Sequence, residues 1–252
     1  MKKKLLSLAV ASLVCGSVAE ARFYVGVEGG YTSASGILDP LKFGESNKIN
    51  FNTIPASEIK NAFKSMKRNV QNGVLEVDPY KGYSIGVNFG SEHLFLRDYL
   101  GFRWGASVGY SNMSGKYISV DNSGDIGAKI EGKYSFLDTG LSLDLMTNFY
   151  SSQSFAIGIF GGAELDYHYM LTGKYEHKIW DEEGDMKNQV PSRHSLDLSG
   201  RVGITTLIAS HHRIDLTAKL PIGSITAGKA SNIKLGEPLV RITFSAGYKF
   251  VF

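Results

Sequence analysis

The side chains able to do chemistry in this sequence of 252 residues fall into a few sets. Glu28, Glu164, Arg201, Lys219 and Arg241 each sit between apolar neighbours and share an every-second-position spacing with glycine and serine. Side chains of these types enclosed together pair, because an isolated buried charge costs several kcal/mol. Arg103, Asp138, Asp144, Asp215 and Lys249 follow the same spacing. A second set, Lys60, Lys64, Lys67 and Arg68, is a basic cluster suited to phosphates or an acidic partner. A third, Asp181, Glu182, Glu183 and Asp185 behind Trp180, is acidic, but its spacing departs from an EF-hand and reads as a solvated loop. Serine and histidine are plentiful, yet no motif joins a nucleophile to a base. His168, on the lumen-facing parity near the outer end of its strand, could meet Ser or Asp neighbours, and the adjacent His211 and His212 read as a solvated turn. Residues 26–36, GVEGGYTSASG, superficially suggest a phosphate loop, but they lie in a strand pattern with no helix after them. No catalytic residue, no cofactor and no metal site is expected.

Composition narrows the class. There are 27 Lys and Arg against 24 Asp and Glu, with 43% hydrophobic residues and 29 Gly. The chain is too hydrophobic for disorder and too evenly charged for a dedicated nucleic-acid binder. A single Cys excludes a disulfide scaffold and any Cys-based metal site.

Residues 1–21 read as a cleaved signal peptide. Lys2, Lys3 and Lys4 precede a short apolar stretch over residues 5–14, and Ala19 and Ala21 form a small-x-small cleavage site. The stretch is too short to span a bilayer comfortably. A lipoprotein reading of Cys15 is disfavoured by Val14 before it. The mature chain, residues 22–252, is then nearly neutral and free of cysteine.

What must position the charges has period two. Large apolar side chains alternate with small or polar ones in eight segments, beginning with Phe23, Val25, Val27 and Tyr31 and ending with Val240, Ile242, Phe244, Ala246, Tyr248, Phe250 and Phe252. Leu137, Leu141, Leu143 and Leu145 form another. Tyr134 and Phe136 just before them are out of phase by one, which predicts a bulge near Phe136. Alternation alone also marks a soluble sheet with one wet face. Here the apolar face is continuous in each segment, the opposite face is rich in Gly, Ser and charge, and aromatics gather at segment ends as interfacial girdles do. In lipid every backbone N–H and C=O must pair internally, so strands can span only as a closed barrel. The expected fold is therefore all-β: a closed antiparallel transmembrane barrel, most simply of eight strands, with ten if a loop hides a hairpin.

The connections alternate in length. Short links over about 90–100, 147–154 and 209–213 suit periplasmic turns, and long ones over about 33–79, 114–129, 171–192 and 223–237 suit extracellular loops. Within the first loop Ile59, Phe63, Met66 and Val70 form a helical stripe between Ser57, a plausible N-cap, and Gly73. A short basic helix is expected there, packed on the barrel mouth or meeting lipopolysaccharide phosphates or a host partner. Strand direction puts Glu28, Glu164, Arg201, Lys219 and Arg241 near mid-depth in the lumen, and Arg103, Asp138, Asp144, Asp215 and Lys249 nearer the periplasm. The terminal Tyr248, Phe250 and Phe252 look like the aromatic signal by which outer-membrane barrels are recognised for assembly.

Residues 195–223 read SLDLSGRVGITTLIASHHRIDLTAKLPIG. A strand containing Gly203, a turn bearing His211 and His212, and a strand closing in Lys219-Leu220-Pro221 together resemble the end of the Helicobacter outer membrane protein family. Residues 23–27 and the terminal aromatic strand are similar too, so the resemblance covers about the last sixty residues and the first strand. It implies an outer-membrane barrel. Many members carry large cysteine-bearing extracellular domains that bind host surfaces, and this chain has none. The expected role is structural or surface-interacting (adhesin-like) through the loops, with a narrow porin-like channel as the alternative. The expected partners are outer-membrane lipid and lipopolysaccharide, the barrel-assembly machinery and a host or surface ligand, with no nucleic acid; the barrel is expected to be a monomer.

Overall fold

In a computed structural model, the described residues are 20–35, 49–53, 57, 60, 75–120, 126–179, 194–227 and 240–252. They form nine strands: β1 (Glu20–Ser35), β2 (Ile49–Thr53), β3 (Leu75–Phe95), β4 (Leu100–Val120), β5 (Ile126–Ser151), β6 (Phe155–Ile179), β7 (His194–Ile208), β8 (His212–Ala227) and β9 (Val240–Val251). Eight close a ring. Sequential neighbours from β3 to β9 pair antiparallel, and β1 joins β3 to β9. No barrel edge is left exposed where the wall must be sealed, as a lipid environment requires. No described helix is long and apolar enough to cross a membrane.

The ninth strand corrects the expected first loop. β2 lies within it and pairs with the far end of β8, from Ile49 opposite Ala227 to Thr53 opposite Gly223. It can do so because β8 and β9 stop pairing at Lys219 opposite Thr243. Just beyond, Pro221 pairs with Ser199 of β7, and Ile222 is an extra residue there, since Leu198 faces Gly223. Proline lacks a ladder donor and belongs at edges and bulges, so the β8–β9 seam opens where Pro221 stands.

The face assignment follows the alternation. On β1, Phe23, Val25, Val27 and Tyr31 point outward and are about half exposed or more, whereas Tyr24 and Thr32 are buried. Leu141, Leu143 and Leu145 are likewise 58–71% exposed, while Asp144 between them is 1% exposed. An apolar outer surface with a charged interior inverts the soluble pattern and matches a lipid solvent. Tyr31, Tyr83 and Tyr110 mark one rim of the belt, and Phe23, Tyr150, Phe155 and Phe252 the other.

The strands run further than the sequence suggested. β5 has 26 residues and β6 has 25, against the 9–11 a tilted strand needs to cross. The expected loop boundaries at residues 114, 129 and 171 therefore fall inside β4, β5 and β6, and those at 79 and 223 inside β3 and β8. The three opposite connections are tight turns. Leu96, Arg97 and Asp98 in the first, and Ala209 and Ser210 in the third, have positive φ. The register of β5 against β6 shifts at Phe136, as expected, but the extra residue is Leu171 on β6, since Ser135 faces Thr172 and Phe136 faces Met170. β5 keeps its phase, so Tyr134 and Phe136 point into the lumen and are buried.

Candidate functional site: the charged lumen

The lumen is built in layers. At the end that carries the three tight turns, the expected periplasmic side, Tyr24, Ala156, Leu207 and Val251 form a buried apolar cluster. The Tyr24 ring needs space that only glycine leaves: its hydroxyl bonds the Trp104 carbonyl at 3.3 Å, and a Cβ on Gly105 would stand 2.3 Å from that oxygen. Above it lies the first charged layer. Arg103 holds Asp144 through Nε and Nη2 at 3.2 and 3.0 Å and Asp215 through Nη1 at 2.8 Å. Lys249 also pairs with Asp215. Beside them Arg213 pairs with Glu92 at 2.8 Å and donates to the Thr205 hydroxyl, which donates to Asp215 at 2.6 Å. The guanidiniums of Arg103 and Arg201 lie 4.7 and 5.9 Å from the centre of the Phe160 ring, a contact that strengthens away from water.

In the middle layer Glu164 pairs with Arg201 at 3.0 Å and Lys219 at 2.8 Å. Lys219 also lies 3.9 Å from Asp166, and Arg201 reaches back to Asp144 at 3.5 Å. Glu28, half-buried, accepts a hydrogen bond from Ser245 at 2.7 Å. The outer layer joins Asp138, His168, Asp197 and Arg241. His168 Nδ1 is 2.5 Å from Asp138 and Nε2 is 3.4 Å from Asp197. Arg241 lies 3.5 Å from Asp138 and 4.2 Å above the Phe136 ring. Ala34, Met113, Tyr134, Phe136 and Met170 then close the opposite end as a second apolar cluster, with Tyr80 against it.

The sequence placed Asp138 near the periplasm and Arg241 at mid-depth; both belong to the outer layer, because β5 enters from outside and Asp138 faces His168 across β6. Glu164, Arg201 and Lys219 meet one another directly, whereas Glu28 stands apart on the opposite wall. Arg103, Asp144, Asp215 and Lys249 meet at the periplasmic layer. Glu92, Asp166, Asp197 and Arg213 were not singled out from the sequence. Asp166 and Asp197 were detectable from parity, each flanked by outward residues; Glu92 and Arg213 lie beyond the strand ends assigned by alternation. Of the basic first-loop set, Lys60 is described and exposed, as is Ser57. Lys64, Lys67, Arg68, the rest of the expected helix and the acidic loop over 181–185 lie outside the described residues, as do Ala19 and most of the expected signal peptide. β1 begins at Glu20, two residues before the expected cleavage point. His211 and His212 lie in and beside the β7–β8 turn, where His212 bonds the Tyr248 hydroxyl at 2.7 Å and His211 stacks on Phe250. Tyr248, Phe250 and Phe252 face outward, and Phe252 N–H donates to the Phe23 carbonyl. No group of three His, Cys, Asp or Glu suited to a metal occurs among the described residues.

A cavity of about 110 Å³ runs beside the charge layers. One wall, from β3 and β4, is Ser84, Gly86, Gly105, Ser107 and Gly109; the other carries Asp166, His168, Asp197 and Lys219. It is polar and has room for several waters. The arrangement can hold charges, water and small polar solutes.

A family model described as Helicobacter outer membrane protein matches residues 86–252, more than half of the chain. Among solved structures, the chain is similar to Neisserial surface protein A at 13% identity, covering 91% of this chain and 97% of that one, with a TM-score of 0.39. It is similar to the outer membrane protein OprG from Pseudomonas aeruginosa at 15% identity, covering 92% and 97%, with a TM-score of 0.38. It is also similar to Ail, the attachment invasion locus protein of Yersinia pestis, at 11% identity, covering 91% and 99%, with a TM-score of 0.32. No curated protein matches it.

Proposed function

The chain belongs to the Helicobacter outer membrane protein family, and on that premise we propose that this outer-membrane barrel is a surface-interaction protein, presenting a rigid sheet extension to the exterior above a plugged lumen. The observation that carries this is strand length. β5, at 26 residues, reaches roughly 60 Å along the barrel axis when tilted as barrel strands are. The hydrocarbon core takes up about 30 Å of that. Pairing of β4 with β5 and of β5 with β6 continues beyond the apolar belt, so the excess is ordered sheet. The ion-paired layers and the two apolar clusters support a closed interior, in keeping with the narrow lumen of eight strands. We assign the barrel no catalytic role.

The leader is cut after Ala21. Lys60, Lys64, Lys67 and Arg68 meet lipopolysaccharide phosphates or a host surface ligand. Tyr248, Phe250 and Phe252 engage the assembly machinery, and the barrel acts as a monomer. The test replaces residues 116–131 with a short turn in cells displaying the protein, with barrel folding confirmed by heat-modifiable mobility. Adhesion to host-cell or matrix surfaces should fall; unchanged adhesion rejects the role.

A second reading, a narrow cation-preferring pore, is favoured by the cavity and by the surplus of carboxylates facing the lumen. Stable unitary currents across a planar bilayer would establish it and overturn the plugged lumen.

A further inference from the structure

The charges of the lumen do not balance. Among the described residues the lumen layers hold eight carboxylates (the Glu and Asp residues named above from Glu28 to Asp215) against six Arg and Lys. His168 can offset at most one, so a net negative charge remains in the lumen. Asp166 and Asp197 concentrate the imbalance. They are register partners on β6 and β7, and like charges directly opposite one another repel. Their neutralisation is weak: Lys219 is 3.9 Å from Asp166 but 2.8 Å from Glu164, and only Oδ2 of Asp197 reaches His168. Asp197 Oδ1 is buried without a hydrogen-bond partner, in a residue only 6% exposed. Both carboxylates line the cavity, as does Asn88, whose buried Oδ1 is also unpartnered.

We propose that the lumen cavity binds a monovalent cation between Asp166 and Asp197. The available ligands are hard oxygens: two carboxylates, with amide and hydroxyl oxygens across the cavity. Calcium would take six to eight such ligands, and the described residues offer no three-ligand cluster. A singly charged ion that keeps part of its water shell fits the donor set, the single surplus charge and the space of about 110 Å³. An alkali ion or a small protonated amine supplies that chemistry equally. The nearest break in the wall is the β8–β9 seam, since Ser199, two residues from Asp197, is opposite Pro221.

The site is independent of the extracellular extension, so its test does not bear on adhesion. The purified barrel, folded in non-ionic detergent, is melted at constant ionic strength in NaCl, KCl, methylammonium chloride and N-methylglucamine chloride, the last cation being too large for the cavity. The midpoint should rise saturably by ~5–10 °C at a hundredfold excess over Kd with a small cation, and not with N-methylglucamine. A rise with sodium or potassium alone identifies an alkali ion, and one with methylammonium alone identifies an amine. Asp197→Asn and, as a second variant, Asp166→Asn should fold, lose the selective rise and be no less stable than the parent in N-methylglucamine, because repulsion is relieved. Equal midpoints in all four salts, or a selective rise that persists in both variants, would overturn the proposal.

Discussion

Replacing Arg103 or Arg213 with methionine tests whether the lumen charges form a buried, ion-paired plug. Either change keeps a long side chain and removes one buried cation. Loss of one partner from a buried pair typically costs 3–5 kcal/mol, because a charge stays enclosed without compensation. The two sites differ in what remains. Without Arg103, Asp215 keeps Lys249, and Asp144 keeps Arg201 at 3.5 Å. The expected loss is near the lower end, ~3 kcal/mol, or about a hundredfold in the folding equilibrium. Without Arg213, Glu92, which is 0% exposed, keeps no cationic partner among the described residues, so the loss should approach ~5 kcal/mol. Urea unfolding in phospholipid vesicles, followed by tryptophan fluorescence and heat-modifiable mobility, reads both. Glu92→Gln added to Arg213→Met should restore at least half of the loss. Losses below ~1 kcal/mol at both sites, the range of solvent-screened pairs, or no rescue by Glu92→Gln, would refute the reasoning.

Other outcomes follow from the same geometry. Leu141→Arg, on the outward belt, should destabilise the folded barrel by ~2–4 kcal/mol in vesicles if that residue lies near the bilayer midplane; a soluble barrel would tolerate it in a urea titration. Gly105→Ala should destabilise by ~1–3 kcal/mol through the Tyr24 hydroxyl, and Tyr24→Phe in the same chain should recover part of that, as read by thermal melting. Arg97→Gly, in the turn where three non-glycine residues have positive φ, should stabilise by ~0.5–1 kcal/mol in the same melts, because relief of the left-handed strain exceeds the added chain entropy.

The barrel was legible because a strand exposes its two faces strictly in turn. Val25 and Val27 could not both face lipid without sending Tyr24, Gly26 and Glu28 inward. Pairing partners were harder to read. Parity says that Asp138 faces the lumen but not that it meets His168 and Arg241, which depends on stagger between strands distant in the chain. Phe136 shows the limit of a local pattern. Its phase against Leu137 predicted a bulge at the right depth, but the inserted residue is Leu171 on the neighbouring strand, so two aromatics that looked misplaced are the outer plug. The strand ends were missed for a related reason. Beyond the membrane no lipid enforces an apolar face, so alternation fades although the hydrogen-bonded ladder of β4, β5 and β6 continues. Glu92 and Arg213 were lost at the other end, where charged residues close to a turn read as loop although both point inward.

A transmembrane barrel requires the outward apolar belt and the inward charges. The most direct measurement is a nitroxide scan of residues 22–32 along β1, in a Cys15→Ser chain folded into vesicles, comparing accessibility to oxygen with accessibility to a water-soluble nickel chelate. Oxygen accessibility should peak at Phe23, Val25, Val27, Gly29 and Tyr31 and fall at Tyr24, Gly26, Glu28 and Gly30, with the chelate excluded from all but the ends. Chelate accessibility that peaks at Val25, Val27 and Gly29 would mean that this face meets water, and would contradict a transmembrane barrel.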